Sequence, residues 1–274
     1  MYKIGFIGAG NMGEALIRGI LKANLAAPKE IIVTDISRER LLDLGERYGI
    51  VGAGNNSDVA AQSEVIILAV KPQIMSDILK EISQGVNEST LLISIAAGIK
   101  LSLLRACLPD GGRIIRVMPN TPVLVLEGMT AICTDGADED DLKKVEQIFS
   151  AVGRTVVVRE SMIDAVTGLS GSGPAYVAIM VEALTDGGVL MGLPRKVSQE
   201  LALQTVLGTI RLLMDAHHHP AALKDMVSSP GGTTIHGIYA LEKGGLRASL
   251  MEAIKMAAMR SKELGEEEST RSGH

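Results

Sequence analysis

The glycine-rich segment near the N-terminus constrains the fold of this chain more than any other feature. Gly8-Ala9-Gly10-Asn11-Met12-Gly13 directly follows an apolar, strand-like run and precedes a helical pattern. A G-x-G-x-x-G motif alone is weak evidence, but a strand before it and a helix after it are the context in which it binds a dinucleotide. Gly8 permits the tight turn, Gly10 lets the backbone approach a pyrophosphate, and Gly13 allows close helix–strand packing.

Short apolar runs alternate with helical patterns over residues 1–160. The helical patterns include Gly13–Lys22 and Arg38–Tyr48. The strand-like runs are rich in Ile and Val, as strands buried on both faces are: Lys3–Ile7, Ile31–Thr34, Val65–Val70, Leu91–Ile95, Arg113–Val117, Met129–Cys133 and Thr155–Val158. This alternation predicts an α/β Rossmann domain with a mostly parallel sheet and right-handed crossovers.

The pattern changes in residues 161–274, where strand-like runs stop and apolar residues recur at helical spacing. The predicted helices are Ala175–Met191, Pro194–Met214, Ala221–Val227, Thr234–Lys243 and Leu246–Leu264, with Pro194 as a first helical residue. The charged tail from Glu266 is expected to be frayed. This half is apolar on nearly every side of its helices, and such helices need a partner. We therefore predict an all-α dimerisation domain and leave a larger homo-oligomer open.

The composition excludes several classes of protein. The net charge is −5, aromatic residues make up 2% of the chain and Trp is absent, so neither a basic footprint nor a stacking platform for nucleic acid is present. No apolar run reaches the ~18 residues of a membrane span, and no secretory leader is visible. Cys107 and Cys133 lack metal-type neighbours and are expected to be small buried hydrophobes. We expect a cytoplasmic protein that binds neither nucleic acid nor membrane.

Asp35 closes the second predicted strand, about 20 residues beyond the glycine motif, where a carboxylate accepts from the ribose 2′-hydroxyl of NAD. Ser37 and Arg38 follow at once and would suit the 2′-phosphate of NADP. A carboxylate beside a phosphate is unfavourable. The residues therefore favour NAD and leave NADP open if Asp35 turns away. Capping of the following helix is the alternative role for Asp35.

Three more loops follow predicted strands, at the edge where open parallel sheets bind ligands. They contain Asn55-Asn56-Ser57, Ala69-Val70-Lys71-Pro72 and Ile95-Ala96-Ala97-Gly98. Lys71-Pro72 suits a strand-to-helix elbow with a cation near the cofactor, or a solvent-facing lysine beside a helix-starting proline. The sequence leaves both interpretations open.

The segment Ser228-Ser229-Pro230-Gly231-Gly232-Thr233-Thr234 predicts an anion site. Proline and two glycines make a rigid entry and a permissive turn, and the threonines stand where a helix begins. Unpaired N–H groups at a helix start suit a carboxylate, and the hydroxyls add donors and acceptors. A small substrate with a carboxylate is therefore expected, although a threonine here is equally suited to capping.

Five segments resemble, in their order, those of pyrroline-5-carboxylate reductases, and the resemblance covers essentially the whole chain. They are Gly5–Gly13, Ala69–Pro72, Met118–Pro122, Gly168–Tyr176 and Ser228–Glu242. The Pro230–Thr234 portion is the most specific, because many dehydrogenases share the glycine motif. The resemblance implies a Rossmann domain, a helical domain that interlocks with a second subunit and helps complete the site, and reduction of 1-pyrroline-5-carboxylate to L-proline by NADPH or NADH, the final step of proline biosynthesis.

The resemblance also implies site residues, position by position. Cofactor contacts are expected at Ile7, Gly8, Ala9, Gly10, Asn11, Met12, Gly13, Asp35, Asn56, Ala69, Val70, Lys71, Pro72, Ile95, Ala96 and Ala97. Substrate contacts are expected at Ser229, Gly231, Gly232, Thr233 and Thr234, with the Thr234 hydroxyl against the imine nitrogen as the catalytic group. A threonine hydroxyl is a poor acid, so a protonated imine or water is the expected proton source. Many family members carry a neutral residue where this chain has Asp35, so their usual NADPH preference does not transfer directly.

Two other functions stay open. A reductase of the 3-hydroxyisobutyrate dehydrogenase type would carry a catalytic lysine on the first helix of the second domain, and Ala175–Leu190 contains none. A non-catalytic dinucleotide sensor would not oxidise NADH with the imine.

The remaining polar segments receive structural interpretations. His217-His218-His219-Pro220 lacks carboxylate or cysteine partners for a metal, so we expect no metal site and explain the run as a helix end followed by a proline stop. His217 in the substrate pocket and His236 as an acid are weaker alternatives. Asn120-Thr121-Pro122 suits a turn or a nicotinamide contact, and Ser170–Pro174 suits the break before a long helix.

Overall fold

The computed structural model describes residues 1–106, 112–133, 136–215 and 219–271. The chain folds into two compact units, one formed by residues 1–172 with the segment from Lys255 onward, the other by Gly173–Ile254. The division predicted near residue 160 rests on a change of sequence pattern and stays a prediction.

Within the described residues, an eight-stranded sheet forms the centre of the first unit. Its strands are β1 (Tyr2–Ile7), β2 (Ile31–Thr34), β3 (Val51–Gly52), β4 (Ser63–Leu68), β5 (Leu91–Ser94), β6 (Arg113–Met118), β7 (Gly128–Cys133) and β8 (Gly153–Val158). They lie in the order β3-β2-β1-β4-β5-β6-β7-β8, and all neighbours are parallel except β6 and β7. The predicted α/β fold with a mostly parallel sheet is confirmed.

The helices of the described ranges are α1 (Asn11–Lys22), α2 (Arg38–Tyr48), α3 (Asn56–Gln62), α4 (Met75–Ile82), α5 (Leu101–Ala106), α6 (Glu139–Ser150), α7 (Ile163–Val166), α8 (Gly173–Leu190), α9 (Arg195–Asp215), α10 (Pro220–Met226), α11 (Thr233–Lys243) and α12 (Leu246–Arg271). Two expectations need correction. Pro194 precedes α9, and its carbonyl accepts the N–H of Ser198 at 3.0 Å. The tail from Glu266, predicted to be frayed, continues α12 to Arg271.

Two apolar layers cover the two faces of the sheet, because side chains of a strand alternate between faces. Phe6 of β1 and Ile67 of β4 pack with Leu16 of α1 in one cluster. Ile66 of β4 packs with Met75 and neighbouring residues of α4 in the other. Burial on both faces explains why the strands are nearly continuous runs of Ile and Val.

The second unit buries little of its apolar surface. In the described part of Gly173–Ile254, the buried side chains are Thr185, Ser198, Ala202 and Leu223. Large apolar side chains of α8 and its C-terminal turn stand in solvent, among them Leu190 and Met191, which are 85% and 82% exposed. None of the described helices combines the length and apolar character that crossing a bilayer requires. These exposed faces fit helices that pack against a second subunit.

Candidate active site

The ends of the parallel strands bring the predicted cofactor residues to one edge of the sheet. Ile7 at the end of β1 is paired with Thr34 of β2 and with Leu68 of β4, and Leu68 is paired with Ser94 of β5. The loops that leave this edge contain Gly8–Gly13, Asp35, Asn56, Ala69–Pro72 and Ile95–Ala97. The structure therefore gathers these residues, while their contacts with a cofactor stay predictions.

The three glycines of the first loop meet the three geometric requirements predicted for them. Gly8 has φ +95°, and a Cβ there would lie 2.5 Å from the backbone oxygen of Ala69. A Cβ on Gly13 would lie 2.8 Å from the oxygen of Gly8, so that glycine allows the close packing of α1. Gly10 is the N-cap of α1 and faces open space, with nothing within 4 Å of an added Cβ. The helix start thus has free N–H groups and room for a diphosphate.

Both carboxylate oxygens of Asp35 accept hydrogen bonds from backbone N–H groups. Its Oδ2 accepts from the N–H of Ala9 at 2.7 Å, and its Oδ1 accepts from the N–H of Ser37 at 2.9 Å. The N-cap of α2 is Ser37, whose hydroxyl accepts from the N–H of Arg40 at 3.2 Å. The alternative in which Asp35 caps this helix is therefore wrong.

Arg40 is a part of the site that the sequence analysis missed. Its Nε donates to the backbone oxygen of Ala9 at 2.9 Å, so Ala9 is held through its N–H by Asp35 and through its carbonyl by Arg40. The same guanidinium pairs with Glu14 of α1 and lies 3.3 Å from Asp43. Opposite charges on the first two helices are the only sequence signal for this arrangement, and that signal does not identify partners.

Glu14 lies at the centre of this ion-pair network between α1 and α2. Its carboxylate also accepts from the Tyr48 hydroxyl at 2.8 Å and pairs with Arg47 at 2.6 Å. Burial raises the pKa of Glu14, but the Tyr48 hydroxyl and the Arg40 guanidinium outweigh burial and bring the pKa below its ordinary value of 4.5. The network therefore holds a charged carboxylate that fixes Arg40.

Asn56 and Lys71 occupy two further loops of the sheet edge. Asn56 opens α3, and its Nδ2 donates to Glu81 at 2.8 Å. Lys71 is exposed and precedes Pro72, which starts a short 3-10 turn. The exposed side chain and the proline at the start of the turn agree with the interpretation of a solvent-facing lysine beside a helix-starting proline. Contact of the Lys71 cation with the cofactor stays a prediction.

The loop after β5 is covered by the C-terminal helix. Gly98 has φ +77°, and a Cβ on Gly265 of α12 would lie 2.7 Å from the Gly98 oxygen. Nearby, the Ser261 hydroxyl of α12 donates to Asp164 at 2.7 Å, and Ser261 is 4% exposed. A residue with a side chain at position 265 would therefore displace the loop that contains Ile95–Ala97.

The predicted substrate segment forms a tight turn before α11. The N–H of Gly232 donates to the Ser229 oxygen at 3.0 Å, and Gly231 has φ +66° after Pro230, a combination typical of type II turns. A Cβ on Gly232 would overlap the Ser229 hydroxyl. Because Gly232 caps α11 without a side-chain bond, the first N–H groups of this helix can bind an anion.

Thr233 and Thr234 are the first two residues of α11, as the sequence predicts. The N-cap is Gly232, so Thr234 does not cap α11, and its place in the first turn agrees with the alternative of an ordinary helix-start threonine. Thr234 is half-buried, and its hydroxyl forms no hydrogen bond with the part of the chain that the structure describes. The ring Nδ1 of His236 lies 2.9 Å from the Gly232 oxygen, a contact with the backbone of its own helix.

The histidine run is only partly described, since His217 and His218 lie outside the described residues, as does Cys107. His219 caps α10, with its Nδ1 accepting from the N–H of Ala221 at 3.2 Å. Pro220 is the first residue of that helix, so it starts a helix and is not the predicted stop. No three His, Cys, Asp or Glu side chains form a metal cluster in the described ranges. Cys133 is buried, as predicted.

Asn120 has structural contacts on both ends of its amide. Its Nδ2 donates to the Ser170 oxygen and hydroxyl at 3.2 and 3.1 Å, and its Oδ1 accepts from the N–H of Met129 at 2.8 Å. These bonds favour the turn interpretation over a nicotinamide contact. Ser170 lies in a π-helical turn, Thr167–Gly171, directly before α8, which confirms the predicted helix break.

Two family models match the chain. One, described as pyrroline-5-carboxylate reductase dimerisation, matches residues 160–264. The other, described as NADP oxidoreductase coenzyme F420-dependent, matches residues 3–98. The two matches fall on the helical part and on the glycine-loop part of the chain.

Curated relatives match over nearly their full length. The chain is 50% identical to a pyrroline-5-carboxylate reductase of Synechocystis sp., over 96% of this chain and 98% of that protein. It is 47% identical to the Methanosarcina acetivorans enzyme of the same name, with the same coverage. Two solved structures are also similar over 96% of this chain and 98% of theirs. They are a pyrroline-5-carboxylate reductase of Coxiella burnetii (36% identity, TM-score 0.89) and a Plasmodium falciparum pyrroline carboxylate reductase with NADP bound (35%, 0.87).

Proposed function

Because this chain belongs to the pyrroline-5-carboxylate reductase family, we propose that two of its glycine-capped helix starts carry the two halves of the reaction. The chain reduces the C=N bond of 1-pyrroline-5-carboxylate with NAD(P)H to give L-proline. One observation carries the assignment of residues: Gly10 and Gly232 cap α1 and α11 without side-chain bonds. Each helix start therefore offers free N–H groups to an anion.

The edge of the sheet binds the cofactor. The N–H groups at the start of α1 bind the diphosphate, and Asp35 binds the ribose at the end of β2. The other proposed contacts come from Ile7 to Gly13, Asn56, Ala69 to Pro72, and Ile95 to Ala97. When bound, the nicotinamide cofactor supplies the hydride for the reduction.

The turn before α11 binds the substrate. The N–H groups of Thr233 and Thr234 hold its carboxylate, supported by Ser229, Gly231 and Gly232. The free hydroxyl of Thr234 orients the imine nitrogen. Since this hydroxyl is a weak acid, the imine arrives protonated or receives its proton from water. The protein accelerates the reaction through proximity and electrostatic orientation.

The test is cofactor oxidation by the purified protein with 1-pyrroline-5-carboxylate, followed with NADH and NADPH in parallel and checked by detection of L-proline. We expect oxidation that depends on the imine. A non-catalytic dinucleotide sensor would bind the cofactor without turnover. Turnover of 3-hydroxyisobutyrate with NAD and none of the imine would favour the hydroxyacid dehydrogenase alternative.

The chain forms a homodimer through its helical region. We assign residues 1–160 to the Rossmann domain and 161–274 to the dimerisation domain. We further propose that dimers assemble into a larger homo-oligomer. We also assign the enzyme to the cytoplasm. Light scattering after size-exclusion chromatography would measure the oligomeric state.

A further inference from the structure

We propose that Asp35 makes this enzyme prefer NADH to NADPH. The inference rests on the proposed function, because it requires the cofactor to bind at the sheet edge described above. It goes further by selecting one of the two cofactors through the position of a single carboxylate.

The carboxylate of Asp35 is fixed by backbone atoms on both sides. Oδ2 accepts from the N–H of Ala9 at 2.7 Å, and Oδ1 accepts from the N–H of Ser37 at 2.9 Å. Hydrogen bonds to an ionised acceptor are the stronger ones in proteins. Ala9 is held in turn by Arg40, whose Nε donates to its carbonyl at 2.9 Å. If the Asp35 carboxylate turned away to admit a phosphate, its hydrogen bonds with the N–H groups of Ala9 and Ser37 would both break.

The fixed carboxylate can still accept hydrogen bonds from a ligand. Each carboxylate oxygen has two acceptor sites, and the bonds to Ala9 and Ser37 use one on each oxygen. Asp35 is half-buried, so part of the group reaches solvent. Ribose hydroxyls are donors and suit these sites, whereas the 2′-phosphate of NADPH brings a negative charge to the same place.

The depression beside Asp35 adds a second argument. It has a volume of about 800 Å³, within the usual range for a small-molecule site. Its charged lining residues are Asp35, Glu46 and Arg38, two carboxylates against one cation. Exposed Ile36 and Leu42 supply apolar surface for a base. This charge balance disfavours a phosphate.

The cations near Asp35 offset little of the repulsion between its carboxylate and a 2′-phosphate. Arg40 is committed to Glu14, Asp43 and the Ala9 carbonyl. Arg38 is exposed and forms no ion pair within the described ranges, so it is the guanidinium left for a phosphate. An exposed arginine with a fixed carboxylate as neighbour offsets only part of the repulsion.

The experiment compares the wild-type protein with Asp35→Ser and with Asp35→Ser/Arg38→Ala. For each, kcat/KM with the imine is measured for NADH and NADPH, and the Kd of each cofactor is measured by calorimetry without substrate. We expect the wild type to favour NADH by roughly tenfold or more, the effect of one close like-charge contact. Asp35→Ser should invert the preference, and the added Arg38→Ala should remove the gain with NADPH.

Glu39→Gln is the matched control. Glu39 is an exposed carboxylate in the first turn of α2 outside the lining of the depression, so its removal should leave the cofactor ratio unchanged. Equal or better use of NADPH by the wild type would overturn the inference. A loss with both cofactors alike in Asp35→Ser would also overturn it, because Asp35 would then only hold the loop. Absence of imine reduction with either cofactor would instead contradict the proposed function.

Discussion

The Nε of Arg40 donates a 2.9 Å hydrogen bond to the backbone oxygen of Ala9, so a side chain of α2 holds the glycine-rich loop in place. We expect Arg40→Ala to raise the KM and Kd of the cofactor by roughly tenfold, the effect of losing a hydrogen bond to a charged group. The KM of the imine should stay unchanged, because Arg40 acts on the loop. Steady-state kinetics and calorimetry check this split.

Arg47→Ala is the control for this variant. Arg47 pairs with the same Glu14 and Asp43 but forms no described bond with the loop. Cofactor KM should therefore remain close to the wild-type value. Equal effects in the two variants would show that the ion-pair network, and not the bond to Ala9, is responsible.

Alanine should have different effects at two glycines of the first loop: Gly8→Ala should lower stability, whereas Gly10→Ala should mainly weaken cofactor binding. Gly8→Ala should lower the free energy of unfolding by about 1–3 kcal/mol, since Gly8 has φ +95° and a Cβ would meet the Ala69 oxygen. Gly10→Ala should lower the free energy of unfolding by no more than about 1 kcal/mol, because its Cβ meets nothing and the cost is that of a poorer N-cap. It should nevertheless weaken cofactor binding by roughly tenfold or more, since the Cβ would stand where the diphosphate approaches the backbone. Urea unfolding and calorimetry separate the two effects, and unchanged binding in Gly10→Ala would contradict the diphosphate site.

Thr234→Ala should lower kcat/KM by roughly ten- to a thousandfold, the scale of losing one oriented donor at the reacting group. The Kd of NADH should change little. Thr234→Ser retains the hydroxyl and should recover most of the activity. Wild-type turnover in Thr234→Ala would exclude the assigned role.

Gly265→Ala should destabilise the protein even though alanine favours helices, because its Cβ would lie 2.7 Å from the Gly98 oxygen. Gly45→Ala in α2 is the matched control, since its Cβ has only an ordinary 3.7 Å contact. That control should gain up to about 1 kcal/mol from helix propensity. Thermal or urea unfolding compares them, and a gain in both would mean that the backbones at 98 and 265 separate easily.

The lowered pKa of Glu14 predicts a pH dependence of stability. A carboxyl whose folded pKa is below its unfolded value stabilises the fold above the unfolded pKa, near 4.5, and loses this contribution as the pH falls through the folded value. The stability difference between wild type and Glu14→Gln should therefore be largest above about pH 5 and shrink as the pH falls below about 4. Urea unfolding across this range tests it, and a constant difference would exclude the ionised network as the cause.

The strands of the first unit were largely predictable because most of them, apart from the edge strands β3 and β8, bury both faces. Ile31–Thr34 agrees with the observed strand at both ends, and the runs near Lys3 and Leu91 agree within one residue. Val51–Gly52 was missed because two residues carry no periodicity. The helix pattern Arg38–Tyr48 also agrees at its first and last residues, since Ser37 supplies a capping signal and Gly49 a stop.

The site was predictable where one segment determines its own geometry. The turn from Ser229 to Gly232 follows from its proline and two glycines. The contact of Arg40 with Ala9 was not predictable, because it depends on how α2 returns across the sheet. Asp35 shows both cases: its place after β2 follows from the motif spacing, but its bond to Ala9 requires the pairing of β1 with β2.

The few buried side chains of the second unit have a consequence for how the enzyme must be handled. A folded state whose apolar faces are covered only by another subunit has a stability that depends on protein concentration. Dilution therefore favours dissociation and unfolding, and the folded fraction is smaller in cells that make little of the enzyme. Activity per molecule should therefore fall in very dilute assays well before any change in temperature or solvent.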